Sequence, residues 1–298
     1  MTNFANYILT KFLLILGFVS SKFSIASRVK LGSFIGDLSR IIGGKRRAYT
    51  IENIDKAYPE KNLKWKAILL RKAYRNLGIT FLELMTLPYL SDYEIKKMIK
   101  YENINLIKEL NSLGKGLILL SGHYGNWEIL AYTAGLFTDI PVLIVVKPQK
   151  NKYVDTVLNE FRVRAGNAVV SMYSAARTIV GTIRKGGTLA LLADQSATAD
   201  RDLFVDFFGR PASTYEAPAN LALKFKVPMI MGFAERQKDG TYFVRMEIIK
   251  HDDLEFNEAG ILELTRRHVT ALEKAIRRKP GLWAWQHRRW KHKKNAEF

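Results

Sequence analysis

The chain has 298 residues, of which 48% are hydrophobic and 25% charged. That suffices for one large domain or two small ones with a sizeable core, and it excludes a disordered tail, a collagen-like repeat and a polytopic membrane protein. The absence of cysteine excludes a disulfide scaffold, a cysteine nucleophile, an iron–sulfur cluster and a thiolate zinc site. Lys and Arg number 47 against 28 Asp and Glu, a net charge of +19 that favours polyanionic partners: nucleic acid, an anionic membrane surface, or an acidic carrier or lipid.

The opening residues, MTNFANYILTKFLLILGFVSSKFSIASRVK, have no basic cluster ahead of the apolar run and no A-x-A site after it, so they do not read as a cleavable signal. Lys11 and Lys22 bracket the uncharged stretch Phe12–Ser21, short of the about 20 apolar residues a spanning helix needs. A span centred on residues 4–21 would put Lys11 near mid-bilayer, at about 2.5–3.5 kcal/mol. On a helix the two lysines lie about 20° apart, and Phe12, Leu16, Val19 and Phe23 form a stripe. This layout favours a helix lying in the membrane interface with its lysines on anionic lipid. A short span with a snorkelling Lys11 and an ordinary packed helix stay open. Residues 1–42 are therefore set apart as a membrane-associating segment, and 43–298 as one domain.

Residues 45–90 have helical periodicity, broken by Pro59 into two helices. Leu117–Leu120 is a short apolar run suited to a buried strand, followed by a helix over Asn126–Phe137 and a second buried strand over Pro141–Val146. Then come a helix (Tyr153–Arg164), a strand (Ala168–Met172), a helix (Ser174–Lys185) closed by Gly186–Gly187, and a strand (Thr188–Ala193). The last elements are a helix over Ala217–Phe225, strands over Met229–Ala234 and Thr241–Ile249, and a long helix over Gly260–Arg278. Strands separated by helices predict a single α/β domain with a mostly parallel central sheet flanked by helices.

The segment LILLSGHYGNWEIL concentrates the chemistry. A strand ends at Ser121–Gly122, His123 follows, and a helix opens at Asn126, which suits an N-cap. The carboxyl ends of strands carry the sites of open α/β sheets, and an imidazole moves protons near neutral pH. Glu128, five residues on, would be about 140° from His123 on one helix, so the two meet only with His123 on the turn and Glu128 on the first helical turn. A carboxylate on one ring nitrogen would fix the tautomer and leave the other nitrogen as a base. Ser121 does not sit in a G-x-S-x-G elbow, and no second ligand stands at metal spacing from His123.

SGHYGNWE resembles the H-x4-D/E block of the late lipid A acyltransferases, the lauroyl/myristoyl acyltransferase family. The resemblance runs along nearly the whole chain, through RRAYTIENIDKAYPE, NLGITFLEL, FRVRAG, AARTIVGTIRKGGTLALLADQ, FVDFFGRPAST and WAWQHRRWK. It implies a glycerolipid-acyltransferase-like fold that moves a fatty acyl chain from acyl carrier protein or coenzyme A to a hydroxyl of a lipid A precursor or related anionic glycolipid. It implies no metal or organic cofactor, and a place at the cytoplasmic face of a bacterial inner membrane. By position it makes His123 the general base and Glu128 its acidic partner, with Arg164 near the reacting centre and Arg162 competing for that role. Asp194 and Gln195 match the family's DQ at a strand end and are assigned, with Asn126, to shaping or binding substrate. His287 and Arg289 match a recurrent H-x-R element, either structural or binding an anionic headgroup, and Arg289 is grouped with the substrate-binding residues. Glycine is frequent in relatives where this chain has Ala217.

From Lys274 to Lys294 the chain has nine Lys/Arg and no acid, interleaved with Trp283, Trp285 and Trp290. The mix suits a membrane interface, a core cluster under a basic face, or single-stranded nucleic acid; no nucleic-acid module is recognisable, so that partner is set aside. Two other functions stay open: a thioesterase or lipid hydrolase using the same base on water, and a non-catalytic membrane or nucleic-acid binder.

Overall fold

The computed structural model describes residues 2–197 and 202–292. Four helices open the chain: α1 (Thr2–Ser21), α2 (Ile25–Ile42), α3 (Gly44–Ala57) and α4 (Leu63–Thr86). The body follows as α5 (Asp92–Met98), β1 (Ile99–Tyr101), α6 (Asn105–Asn111), β2 (Leu117–Ser121), α7 (Trp127–Thr138), β3 (Val142–Val146), α8 (Lys152–Val163), β4 (Ala168–Ser171), α9 (Ala176–Arg184) and β5 (Thr188–Leu192). Last come β6 (Asp202–Phe207), β7 (Arg210–Tyr215), α10 (Ala217–Phe225), β8 (Met229–Arg236), β9 (Tyr242–Ile248) and α11 (Glu258–Arg278).

Seven strands form one sheet in the order β1-β9-β8-β2-β5-β3-β4. The block β8-β2-β5-β3-β4 is parallel throughout, while β9 runs antiparallel to β8 and β1 parallel to β9. This is the mostly parallel α/β sheet that the alternation of apolar runs and helical segments predicts. The central strands read as continuous apolar runs because helices cover both faces: Leu117, Ile118 and Leu120 of β2 are buried, and so is all of β8. Ala217 takes an ordinary place in the first turn of α10.

The β6–β7 hairpin, β1, α5 and α6 are additions to the sequence reading. The hairpin turns on Phe208 and Gly209, both at positive φ (55° and 69°). Phe-Gly is not among the turn pairs that announce a hairpin, since a bulky residue at positive φ is disfavoured. Here Phe208 is held by its ring contacts with Tyr58 and Trp285, and its N–H donates to Glu273 at 2.6 Å.

α2 lies against α4 with almost no space between backbones. A Cβ on Gly32 would stand 2.5 Å from Ile79 Cα, and one on Gly36 2.2 Å from Tyr74 O. Residues 25–42 thus share their packing with the main body. α1 is long and apolar enough over Phe4–Ser21 to cross a membrane, by length and composition. Most of it is uncovered, with Phe4, Ile8, Phe12 and Ile15 at 72, 51, 61 and 61% exposure.

The tryptophans of the basic C-terminal segment belong to the core. Trp283 and Trp285 are buried, Trp290 is half-buried, and all three lie in an aromatic cluster that includes Phe207, Phe208 and Tyr58. Of the readings open for this segment, core packing describes its tryptophans; Lys293 and Lys294 lie outside the described residues.

Candidate active site

The turn after β2 is clamped from three directions. Ser121 Oγ donates to Gly232 O at 2.7 Å, and Gly125 N donates to Leu282 O at 2.8 Å. Ala284 N donates to His123 O at 2.9 Å. Gly125 has φ +62°, and a Cβ there would stand 1.7 Å from Ala234 O. Gly125→Ala should therefore lose about 1–3 kcal/mol from the backbone conformation alone, and more from the overlap, read as a lower midpoint in urea denaturation.

β5 lies beside β2 in register, with Leu192 opposite Ser121. The residue two beyond each strand end therefore faces its counterpart, and these are His123 and Asp194. Asp194 Oδ1 accepts from His123 Nδ1 at 2.7 Å, and Oδ2 accepts from His123 N at 2.7 Å and Trp283 Nε1 at 2.8 Å. The carboxylate is 3% exposed and the imidazole 23%. Burial pushes the Asp194 carboxyl up, but the adjacent imidazole and these three donors outweigh it and hold the group down at about 2. Burial likewise disfavours the imidazolium; the charge and hydrogen bond of Asp194, with a smaller contribution from Glu128, outweigh that and raise His123 above 6.5. With Nδ1 engaged by a carboxylate, Nε2 is the nitrogen left to act as a base. Gln195 Nε2 lies 3.2 Å from it, and the Trp127 ring stands edge-on with centroids 4.8 Å apart.

Glu128 does not make the expected hydrogen bond to His123. Standing at the second position of α7, it turns to α8, where Arg162 binds it with two bonds, Nε to Oε2 at 2.8 Å and Nη2 to Oε1 at 2.6 Å. Both side chains are nearly buried, 11% and 6% exposed. Arg162 also donates to Asn159. Arg164 points elsewhere: its guanidinium bonds the Tyr132 hydroxyl, Pro88 O and Asp92. Neither arginine presents an unengaged guanidinium to Nε2.

Asn126 and Arg289 are buried and serve the scaffold rather than a substrate surface. Asn126 Oδ1 caps α7 by accepting from Glu128 N and Ile129 N, and its Nδ2 donates to Glu83 Oε2 at 2.9 Å. Arg289 donates to Ser213 O and the Thr214 hydroxyl, tying the C-terminal segment to the hairpin. Beneath the turn, Glu83 Oε2 also accepts from Arg236 and the Tyr242 hydroxyl, while Thr80 Oγ1 donates to Gly125 O at 2.8 Å. Asn76, Thr80 and Glu83, one face of α4, thus carry the turn, and Asn76 Nδ2 also holds Leu282 O. Past Gln195, Ser196 N donates to His287 Nε2 at 3.2 Å. Burial lowers His287 to about 4, so it stays a neutral acceptor at pH 7.

The sequence reading placed Asp194 near the site but did not pair it with His123. The signal was there: a carboxylate two residues beyond a buried strand matches the position of His123 beyond its own. Using it requires knowing that β2 and β5 are neighbours. Among the described residues no group of three His, Asp or Glu side chains could hold a metal ion.

A mostly parallel α/β sheet with an imidazole–carboxylate pair at the carboxyl ends of two adjacent strands presents a candidate catalytic site where open α/β sheets carry theirs. The family model of the bacterial lipid A biosynthesis acyltransferases matches residues 2–292, and the chain belongs to that family: it is an acyltransferase of lipid A biosynthesis. It is 22% identical over 265 residues to the lipid A biosynthesis palmitoleoyltransferase of Escherichia coli (strain K12), covering 88% of this chain and 84% of that one. A lipid A biosynthesis acyltransferase of Haemophilus influenzae (strain ATCC 51907 / DSM 11121 / KW20 / Rd) is 25% identical over 84% of this chain and 79% of its own. The lipid A biosynthesis lauroyltransferase of E. coli K12 is 19% identical over 88% and 84%.

Proposed function

We propose that the protein transfers a fatty acyl chain from an acyl thioester to a hydroxyl of a lipid A precursor at a membrane surface, with His123 as general base and Asp194 as the group that orients it. The observation carrying this reading is the bond of His123 Nδ1 to Asp194, which leaves Nε2 as the ring nitrogen not held by a carboxylate, on a side chain 23% exposed at the end of the sheet. Nε2 takes the proton of the acceptor hydroxyl as its oxygen bonds to the thioester carbonyl carbon. The tetrahedral oxyanion collapses, the C–S bond breaks, and the imidazolium returns the proton to the thiolate of acyl carrier protein or coenzyme A. The Gln195 amide, 3.2 Å from Nε2, gives up that position to the incoming hydroxyl in this reading and then donates to the oxyanion. Glu128 and Arg162 act as a pair that positions the first turn of α7. Both donor classes are anionic, in keeping with a charge of +19.

Supplying acyl thioester with and without the glycolipid tests the reaction. Ester formation that depends on the glycolipid is expected; free fatty acid released at the same rate without it would make the protein a hydrolase.

The exposed apolar face of α1 supports attachment to the membrane. Lys11 and Lys22 lie over the Tyr7 and Phe18 rings (5.2 and 5.1 Å to the centroids), the arrangement of lysines held near an interface. The protein should stay in the membrane fraction through high-salt and carbonate washes, and removing residues 1–21 should release a larger share of it. Quantitative recovery of the full chain as a soluble protein without detergent would overturn this attachment.

A further inference from the structure

α2 has an apolar face that no described residue covers. Phe34, Leu38, Ile41 and Ile42 are 65, 49, 67 and 74% exposed, and their spacing places them on one side of the helix. The opposite side, through Gly32 and Gly36, is pressed onto α4. Cations bracket the stripe. Lys30 stands four residues before Phe34 on the same side, and Lys45, Arg46 and Arg47 follow Gly44 in the first turn of α3. All four are exposed, and none is ion-paired with an acid among the described residues. The acid on α2, Asp37, is engaged by Arg71 and Arg75 of α4.

An apolar stripe with cations at both ends is the layout of a helix lying in the plane of an anionic bilayer, its side chains among the upper acyl chains and its cations at the phosphates. We infer that the α2–α3 elbow is a second contact with an anionic lipid surface, separate from α1. The inference rests on the membrane attachment argued above and adds orientation to it. Arg46 is close enough to His287 for its charge to help lower that imidazole, and His287 holds Ser196, next to Gln195. An elbow seated at headgroup level therefore brings the rim of the His123 site to the depth at which the glycolipid acceptor presents its polar head.

The absence of cysteine makes the test direct, because one introduced thiol can carry an environment-sensitive fluorophore in the full chain. Three single-thiol variants are needed: Ile41→Cys on the elbow, Ile15→Cys on α1, and Asp252→Cys at an exposed position after β9, which ends beside the start of β8 and so at the amino ends of the parallel strands, opposite the His123 turn. Each is reconstituted in phosphatidylglycerol-containing or pure phosphatidylcholine vesicles with nitroxide-labelled lipid as quencher. The Ile41 probe is expected to shift to the blue and be quenched in the anionic vesicles and less so in phosphatidylcholine, while the Asp252 probe stays in water. Reversing charge at Lys45, Arg46 and Arg47 should lower the quenching at position 41 and leave position 15 unchanged. Quenching at 15 with none at 41 overturns the elbow contact and leaves the α1 attachment standing. Quenching at neither overturns both. Shielding of position 41 without lipid, growing with protein concentration, assigns the face to a second copy of the chain and also overturns the inference.

Discussion

His123→Ala is expected to lower acyl-transfer turnover by about 10²–10⁴-fold, the usual contribution of a positioned general base, with the fold intact. Asp194→Asn should cost a comparable factor. The carboxylate fixes the Nδ1–H tautomer, and an amide can present a donor to Nδ1 and hold the ring in the wrong state; the corresponding change in a serine-protease triad costs about 10⁴-fold. Two residues working as one unit do not add, so the double variant should be little worse than His123→Ala. The pH profile supplies a second readout. Because Asp194 raises His123 above 6.5, the acid limb of kcat/KM should lie above that value in the wild type and fall when Asp194 is amidated. Asp194 also holds His123 N and the Trp283 indole, so melting temperatures must accompany the rates. Multiplicative losses in the double variant, or full activity in His123→Ala, would remove the mechanism.

Much of this architecture was readable in advance. Buried parallel strands leave short apolar runs between helical segments, and α10 was bounded by its sequence at the residues the structure shows. The blocks that carried the family resemblance converge on the turn. Asn53 of RRAYTIENIDKAYPE donates to Trp285 O and His287 O, and NLGITFLEL contributes Asn76, Thr80 and Glu83. FVDFFGRPAST supplies Phe207 and Phe208, the ring partners of Trp283 and Trp285. What local spacing could not show was partnership across strands. Glu128 stands five residues from His123 yet turns to α8, while Asp194 is 71 residues away and bonds the ring, because strand order decides neighbours at a sheet's end. The same limit applied to the tryptophans, whose interleaving with cations fits a membrane belt as well as a core edge.

Glu128 and Arg162 should fail together. Removing one partner of a buried ion pair leaves an uncompensated charge and typically costs about 3–5 kcal/mol, so Glu128→Gln and Arg162→Met should each lower stability markedly, with urea denaturation as the measure. The pair is nearly dry, two-pronged, and joins the first turn of α7 to the last turn of α8. Arg162 engages both Glu128 oxygens and Glu128 is the smallest of the influences on the imidazole, so the carboxylate's effect on turnover should come from holding the helix that opens four residues after His123. Three results follow. The two single variants should lose turnover to a similar degree, and the double variant Glu128→Leu/Arg162→Met should recover stability, since apolar replacements of buried pairs are often neutral. Their pH profiles should move far less than that of Asp194→Asn, because Glu128 is the smaller influence on the imidazole. A crippled Glu128→Gln beside an Arg162→Met of nearly full activity would instead place the Glu128 carboxylate in direct contact with the reacting groups, since only the acid would then matter to the chemistry.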